Sequence, residues 1–410
     1  MLLRQMANNR TIKTCRTMKT RRRYYGKDRI SCLPDCLLLH ILSNLEAKQA
    51  VQISILSTRW KDLWKNISVL SLSRNFRNFQ SLESFATFVS QFFSSRDDKT
   101  SLQALTFECT HYFDPNLLKR IIKYLFSHNI QHLDMKVACS LEHFPLCTNS
   151  SYHTLTSLKL ISWEEVQQWG RQKPVFPNSL QFPALTYLSL QSFTFRCTTD
   201  DGYADPFSVF QSLNTLIIEC CSLYNEKTRV EDNLFISSVS LVNLTIVLPA
   251  NYKSYKLKLS TPNLFSFDFT GHPFQNLCGH HNISNTNFSY IKHVKIHLPF
   301  HKVTNFPSIL FNWLVELDLM ESLAISSETL EILKLIPDSW KIDFPYLHNL
   351  KLLEIEIHEF SSLPDGTEDF LLQNAPSAKK VIFPGPTLKD LICNDSWINE
   401  AKTRRKQSRH

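Results

Sequence analysis

The sequence predicts an α/β protein in which a three-helix segment precedes an irregular solenoid with a curved parallel sheet. Helical periodicity over residues 28–67 predicts the first part. A leucine pattern that recurs along the rest of the chain predicts the second part. The chain has 410 residues, of which 43% are hydrophobic, so it can bury a substantial core.

Glycine is scarce, and this excludes several kinds of enzyme. Only 7 residues are glycine, and no two of them are closer than eight positions apart. Dinucleotide-binding fingerprints, phosphate-binding loops and the nucleophile elbow of serine hydrolases all require glycines a few residues apart. None of these motifs can be drawn on this sequence.

The helical segment begins with Pro34 and Asp35, which suit the first turn of a helix. Apolar residues then recur at helical spacing through three short helices, and Ser57 can cap the third of them. Three helices in about forty residues enclose too little volume to hide so many large side chains. Part of the apolar surface can pack on the next domain of the same chain, but the two-sided apolar character of the first helix favours a partner protein.

This segment resembles an F-box of the plant type. The resemblance is carried by these runs: Asp28-Arg29-Ile30-Ser31, Leu33-Pro34-Asp35, Ile41-Leu42-Ser43, Lys48, Ala50-Val51, Leu56-Ser57, Arg59-Trp60 and Leu63-Trp64. The sequence departs from the family pattern at Cys36, where Glu is usual, and at Asn44 and Glu46, where Phe and Pro are frequent. Loss of the proline changes the start of the second helix.

The resemblance implies binding to a Skp-type adaptor and, through it, to a cullin-RING ubiquitin ligase. The residues that it assigns to adaptor binding are Leu33, Pro34, Leu37, Ile41, Leu42, Leu45, Val51, Leu56, Trp60, Leu63 and Trp64. It also implies that the chain is a non-catalytic receptor subunit that needs no cofactor.

A pattern of the form L-x-x-L-x-L follows the helical segment. Its starts fall at Leu102, Ile130, Leu155, Leu185, Leu213, Leu241, Leu264, Ile291, Leu314 and Leu350. This spacing is typical of leucine-rich repeats, in which each repeat contributes one short parallel strand. Such repeats carry Asn or Cys in the turn after the strand, but here only Cys221 conforms. We therefore expect backbone groups and water to satisfy the other turns.

The C-terminal part resembles the FBD region that follows the repeats in many plant F-box proteins. Residues 371–375, with the sequence LLQNA, and residues 379–382, with the sequence KKVI, carry this resemblance. One more degenerate repeat acting as a cap is an open alternative. The predicted domains are a basic disordered tail (1–27), the F-box (28–67), leucine-rich repeats (68–343), a last repeat with an FBD-like cap (344–386) and a second basic tail (387–410).

The centre of each predicted strand indicates what the repeats bind. The predicted central positions are Thr106, Asp134, Lys159, Ser189, Ile217, Thr245, Asp268, Lys295, Asp318 and Glu354. This row is mixed in charge, whereas nucleic acid requires a sustained basic stripe, so a protein target is favoured. The target-binding residues predicted from it are Lys159, Ser189, Thr245, Asp268, Lys295 and Asp318.

The predicted function is therefore recognition of a protein target for ubiquitination, in the nucleus, the cytoplasm or both. No run of 18 apolar residues predicts a membrane span. The clusters Cys139-His143-Cys147 and Cys278-His280-His281 lack the paired spacing of zinc sites, so no metal is expected. Two alternatives stay open: a repeat scaffold with a vestigial F-box, and a nucleic-acid-associated factor that uses its basic tails.

Overall fold

The computed structural model describes the fold in two compact units, Met1–Gly170 and Arg171–His410. Both contain helices and a largely parallel sheet. The described residues are 30, 32–74, 79–96, 99–138, 152–162, 173–177, 180–197, 203–224, 233–248, 256–274, 290–299, 305–342, 344, 346–357 and 367–384. Both predicted tails and both cysteine–histidine clusters lie outside these ranges. Within them, no helix is long and apolar enough to cross a membrane.

The first unit starts with helices and continues as strands that alternate with helices. Its elements are α1 (Asp35–Ser43), α2 (Ala47–Ile53), a 3₁₀ turn (Leu63–Asn66), β1 (Val69–Ser73), α3 (Leu82–Ser94), β2 (Ala104–Tyr112), α4 (Pro115–Ser127), β3 (His132–Ala138) and β4 (Ser157–Ser162). The four strands pair in parallel in chain order. Strand β1, which the leucine pattern did not predict, lies at the edge of this sheet beside β2.

The second unit consists of successive strands of one sheet, joined by connecting segments of varied structure that we call the returns. Its elements are β5 (Tyr187–Gln191), β6 (Thr194–Arg196), β7 (Tyr203–Ala204), β8 (Thr215–Glu219), β9 (Ser222–Tyr224), β10 (Asn233–Ser237), β11 (Asn243–Val247), β12 (Lys256–Ser260), β13 (Ser266–Thr270), β14 (His293–His297), α5 (Phe306–Glu316), β15 (Ser322–Ser326), α6 (Ser327–Lys334), α7 (Asp338–Lys341), β16 (Leu352–Ile357), α8 (Thr367–Gln373) and β17 (Lys379–Pro384).

The main sheet of this unit is parallel and contains β5, β8, β11, β13, β14, β15, β16 and β17 in that order. The short strands of the returns form two small parallel sheets, β12-β10-β7 and β6-β9. The sequence analysis did not predict these small sheets. The predicted fold class, N-terminal helices followed by a repeated parallel strand, is confirmed. The predicted third helix, capped by Ser57, is wrong: turns follow Ser57, and only the 3₁₀ turn Leu63–Asn66 is helical there. The predicted domain boundaries at 67, 343 and 386 stay predictions.

Nine of the ten predicted repeat starts lie two residues before a strand of a main sheet. The exception is Leu314, which the structure places in α5, with the strand of that repeat at β15. Residues 314–319 match the apolar pattern of a strand. However, Leu314 also continues the buried face of a helix that contains Ile309, Leu310 and Trp313. Asp318 is therefore not a central strand position. Ala324 occupies that place in the register.

The core of the second unit consists of two rows of apolar side chains that run across the main sheet. One row contains Leu188, Leu216, Leu244, Phe267, Val294, Leu323 and Leu353, all paired in register. Every member of this row is at most 2% exposed. The burial of Leu188 confirms the strand register predicted for its repeat. Side chains between the buried ones point to the opposite face of the sheet.

Backbone groups form hydrogen bonds in the repeat turns. We expected this, because most of these turns lack the Asn or Cys that is typical of leucine-rich repeats. At most strand starts, one carbonyl accepts from two successive N–H groups of the next repeat, as Thr186 does from Asn214 and Thr215. At the strand ends, the N–H of Cys220 donates to the Val247 carbonyl at 2.7 Å. Cys221, the conforming residue, donates from Sγ to the Leu190 carbonyl at 3.5 Å.

Candidate functional site

The start of the F-box segment is held in place by Arg59. Its guanidinium donates to the Leu33 carbonyl at 2.6 Å and to Asp35 Oδ1 at 2.8 Å. The ion pair is exposed on both sides, so it adds little to the free energy of unfolding. These contacts instead fix the position of the residues around Arg59 relative to the start of α1.

Five large apolar side chains of this segment lie exposed, and we call them the exposed apolar set: Ile30, Leu37, Ile41, Ile55 and Leu56. Each of these residues exposes between 39% and 75% of its surface to solvent. Leu37 and Ile41 are four residues apart on α1, so they lie on one face of that helix. Ile55 and Leu56 follow the end of α2.

The structure divides the residues predicted to bind the adaptor into three groups. Pro34, Leu37, Ile41 and Leu56 are exposed, whereas Leu33, Leu45 and Leu63 are half-buried. The remaining four, which are at most 6% exposed, are Leu42, Val51, Trp60 and Trp64. A side chain in the core cannot also contact a partner, so these four support the surface without forming it. That the exposed members bind an adaptor stays a prediction.

Ile30 and Ile55 are exposed apolar residues that the prediction missed. Ile30 stands in the motif that carries the F-box resemblance, and Ile55 adjoins the predicted Leu56. The signal was therefore present in the sequence. Helical periodicity did not separate the exposed side of these short helices from the buried side.

The interior side of the F-box segment packs on the first strands and helices of its own unit. Trp64 lies against Phe92 of α3, with ring centroids 5.1 Å apart. Arg96 is buried and donates to the Ile67 carbonyl at 2.7 Å. Glu46 forms a parallel backbone bridge with Ser71 of β1. The helices are thus joined to the sheet by packing, a buried hydrogen bond and a backbone pair.

Glu46, one of the departures from the F-box pattern, starts α2 with a capping box. The Glu46 side chain accepts from the backbone of Gln49, and Gln49 Oε1 accepts from the Glu46 N–H at 3.2 Å. The φ of Glu46 is −61°, which is close to the angle that a proline ring fixes. The capping box therefore supplies the helix start that a proline supplies in the usual pattern.

We predict that Glu46→Pro is tolerated. The backbone already has the φ of proline, and the N–H that would be lost donates to the Gln49 side chain. The free energy of unfolding should change by less than about 1 kcal/mol, because the lost cap and the stiffer unfolded chain act in opposite directions. Chemical denaturation checks this, and a loss of several kcal/mol would show that the start of α2 requires the capping box.

The predicted central row exists on the strand face, defined as the side of each main sheet opposite its core. In the second unit the register aligns Ser189, Ile217, Thr245, Asp268, Lys295, Ala324 and Glu354. In the first unit it aligns Ser71, Thr106, Asp134 and Lys159. Ser189 is only 4% exposed, so little of it is available to a partner. Whether the other predicted target-binding residues bind a target stays a prediction.

On the strand face, acidic side chains lie beside basic side chains of other strands. In the first unit, Lys136 Nζ lies 3.1 Å from Glu108 Oε1. Burial raises the pKa of Asp134 in the same sheet, although the nearby Lys159 opposes this shift. In the second unit, Lys295 Nζ bonds to Glu356 Oε1 at 2.6 Å, and the Glu356 side chain is almost wholly buried.

Asp268, like Asp134, differs from the paired residues Lys295 and Glu356, because its carboxylate has no such bond. Within the described part of the chain it accepts no hydrogen bond, and no cation lies within 4.0 Å of it. Burial raises the pKa of Asp268 to about 6; Lys295 opposes the shift, and Glu356 adds to it. The ionised carboxylate is therefore an unfavourable feature of the folded protein at neutral pH.

We predict that Asp268→Asn stabilises the fold in a pH-dependent way. Because folding raises the pKa from 3.8 to about 6, the cost of the charge is present above about pH 6 and is lost as the pH falls through that window. The free energy of unfolding at about pH 7.5 should rise by about 1–3 kcal/mol. The gain should disappear near about pH 4.

Denaturant titrations of both proteins at the two pH values check this prediction. Asp318→Asn is the matched control, because it makes the same chemical change in the turn before β15. Equal stability of wild type and Asp268→Asn at neutral pH would show that the carboxylate is compensated in solution.

The described residues contain no group of three or more His, Cys, Asp or Glu side chains that could hold a metal ion. Burial raises the pKa of the Cys221 thiol to about 12, so this cysteine is protonated at neutral pH. It acts as a hydrogen-bond donor in the repeat turn.

The segment that carries the exposed apolar set matches a known domain family. Residues 30–72 match the F-box domain family. The chain therefore contains an F-box domain, as its sequence pattern predicted. F-box domains in general bind Skp-type adaptors within cullin ligases.

Proteins similar to large parts of the chain come from Arabidopsis thaliana. An F-box/FBD/LRR-repeat protein is 24% identical over 377 residues, which are 87% of this chain and 75% of the relative. A second F-box/FBD/LRR-repeat protein is 30% identical over 229 residues, 55% of this chain and 47% of the relative. An FBD-associated F-box protein is 33% identical over 185 residues, 43% of this chain and 38% of the relative. The chain thus spans less than half the length of these last two relatives.

These relatives confirm the predicted resemblance to plant F-box proteins with leucine-rich repeats and an FBD region. In the structure, the FBD-like part consists of β16, then α8, which ends one residue before Asn374, then β17. The LLQNA residues 371–375 thus lie at the end of α8, and the KKVI residues 379–382 lie in β17.

Proposed function

We propose that the chain is the substrate-recognition subunit of a Skp-cullin-F-box ubiquitin ligase. In this role the F-box binds the Skp-type adaptor, and the strand face of the repeats binds a protein target for ubiquitination. The observation that carries the proposal is the exposed apolar set within the matched F-box residues.

The energetics support a stable partner on this set. Full burial of one Leu or Ile side chain stabilises a complex by about 1.5–3 kcal/mol. Five half-exposed side chains therefore provide several kcal/mol, from which the cost of ordering two proteins is subtracted. Charged or polar residues at these positions would not provide this driving force.

The proposed contribution to catalysis is positional. A receptor that holds a target near a ubiquitin carrier raises the effective concentration of the target's lysine side chains. This role requires no bond-making group in the chain itself. It requires two separate binding surfaces on one protein.

We predict that the double variant Leu37→Asp, Ile41→Asp loses the adaptor. Both side chains are exposed, so the fold should survive, while two charges would have to be desolvated in the complex. Adaptor affinity should fall more than about a hundredfold, equivalent to about 2.7 kcal/mol. Co-expression with a Skp-type adaptor, followed by co-purification and calorimetry, measures this.

Ile342→Asp provides the matched control for this experiment. Ile342 is 84% exposed and lies in the second unit, so the same substitution there should leave adaptor binding unchanged. A folded double variant that still binds the adaptor would contradict the proposed surface. A wild-type protein that binds no adaptor would favour the alternative of a repeat scaffold with a vestigial F-box.

The geometry of Glu46 weakens the argument for that scaffold alternative. The missing proline was its motivation, and the capping box supplies a regular start to α2. The nucleic-acid alternative rests on the basic tails, which lie outside the described residues, and it stays open; the central row, with its mixed charge, adds no basic stripe to it. We further propose a nuclear or cytoplasmic location, or both, which microscopy of a fluorescent fusion tests.

A further inference from the structure

We infer that the strand face of the second unit binds its target through an arginine side chain seated on the Asp268 carboxylate. The inference rests on the proposed function and deepens it, because it names the chemistry of the target. The occupant is a segment of a protein that presents a guanidinium group.

The neighbours of Asp268 leave its carboxylate free. In the register it stands between Thr245 of β11 and Lys295 of β14. Lys295 directs its ammonium to Glu356, although Ala324 and its strand lie between them. The small side chain of Ala324 allows this long reach. The nearest cation in the register is therefore already engaged by another carboxylate.

The charges facing Asp268 leave an excess of negative charge around it. On the strand face of the adjacent β14 these groups are His293, Lys295 and His297, whereas the adjacent β11 presents Asn243, Thr245 and Val247 and no titratable group. Beyond β14, strand β15 presents Ser322, Ala324 and Ser326, and β16 presents Glu354 and Glu356, of which Glu356 acts on Asp268. Two carboxylates, Asp268 and Glu356, thus share the single ammonium of Lys295. This surface is complementary to a cation and repels a nucleic-acid backbone.

A guanidinium fits this position better than a metal ion or a second ammonium. No cluster of metal ligands exists among the described residues. A free carboxylate can accept two parallel hydrogen bonds from one arginine, which a lysine cannot donate. Burial raises the pKa of Asp268, and Lys295 opposes this only in part, so its ionised form is incompletely compensated in the free protein. A bound guanidinium would supply that compensation.

The inference is tested by selecting short random peptides on the full-length protein. We expect the selected peptides to share an arginine. Replacing that arginine by citrulline, its neutral analogue, should weaken binding at least about tenfold, and Asp268→Asn should weaken it equally. Binding to the wild type should also weaken between about pH 7.5 and about pH 5, as Asp268 takes up a proton, and it should weaken more than binding to Asp268→Asn does.

Two variants locate the bound peptides. Asp134→Asn makes the same change on the strand face of the first unit and should leave binding unchanged. Thr245→Arg places the chain's own guanidinium beside Asp268 in the register and should abolish binding.

The outcomes separate this inference from the proposed function. Peptides that bind Asp268→Asn normally but fail on Thr245→Arg would use the strand face without Asp268, which overturns the inference alone. Peptides that bind both variants would overturn the inference and also the strand face as target site. A selection that enriches no arginine overturns the inference, while adaptor binding is decided independently by the Leu37 and Ile41 variant.

Discussion

Replacement of Leu188 by Asp is expected to unfold the strands around β5. Leu188 is wholly buried in the apolar row of the second unit, and the register pairs it with Leu216. A carboxylate at this position would have no cation to pair with in that row. Burial of an unpaired charge should cost more than about 4 kcal/mol, a severe loss for any domain.

Hydrogen exchange is the suitable measurement, because repeat units can open without global unfolding. We expect loss of protection in β5 and β8, while the first unit keeps its protection. Gln191→Asp, on the opposite face of the same strand, should cost less than about 1 kcal/mol, part of it from the facing Glu219. Unchanged protection in Leu188→Asp would show that the strand is turned the other way in solution.

Replacement of Trp64 by Ala should destabilise the F-box and thereby remove adaptor binding. Trp64 is 6% exposed and packs on Phe92 of α3. Truncation of a buried Trp costs about 3–5 kcal/mol, because the surroundings collapse only partly into the space left behind. This substitution differs from the Leu37 and Ile41 variant, which should lose the adaptor and keep its fold.

The distinction is measured by comparing hydrogen exchange of α1 and α2 with adaptor affinity in the same protein. Trp64→Phe keeps an aromatic side chain and should retain most of both properties. If Trp64→Ala lost the adaptor while its helices stayed fully protected, Trp64 would contact the adaptor directly, as the sequence pattern indicated.

Most of the repeat architecture could be predicted, because a short parallel strand imposes a simple alternation on the sequence. Every predicted start except Leu314 is followed two residues later by a strand. At Leu314 the sequence fits both the strand periodicity and the helical periodicity. The helix forms because Trp313 and its apolar neighbours are buried together on one helical face. The short strands of the returns, such as β10, could not be separated from the main strands by spacing alone.

The candidate site was predicted less completely, for a physical reason. The central row followed from alternation, so Asp268 and Lys295 were placed correctly. The partner of Lys295 depends on which of several carboxylates its long side chain reaches, and Glu356 lies 61 residues away in the sequence. In the F-box, periodicity identified the apolar residues, whereas exposure depends on what packs behind each short helix.

The shared carbonyls at the strand starts have a consequence for how this protein can be altered. Because the Thr186 carbonyl and its equivalents bind backbone groups, the junction between repeats places little demand on side-chain identity. Lengthening a return costs only a slowly rising loop entropy. All residues of the returns and of the strand face should therefore be replaceable, provided that the residues of the buried apolar rows are kept. A library built on this scaffold could exchange its specificity one strand at a time.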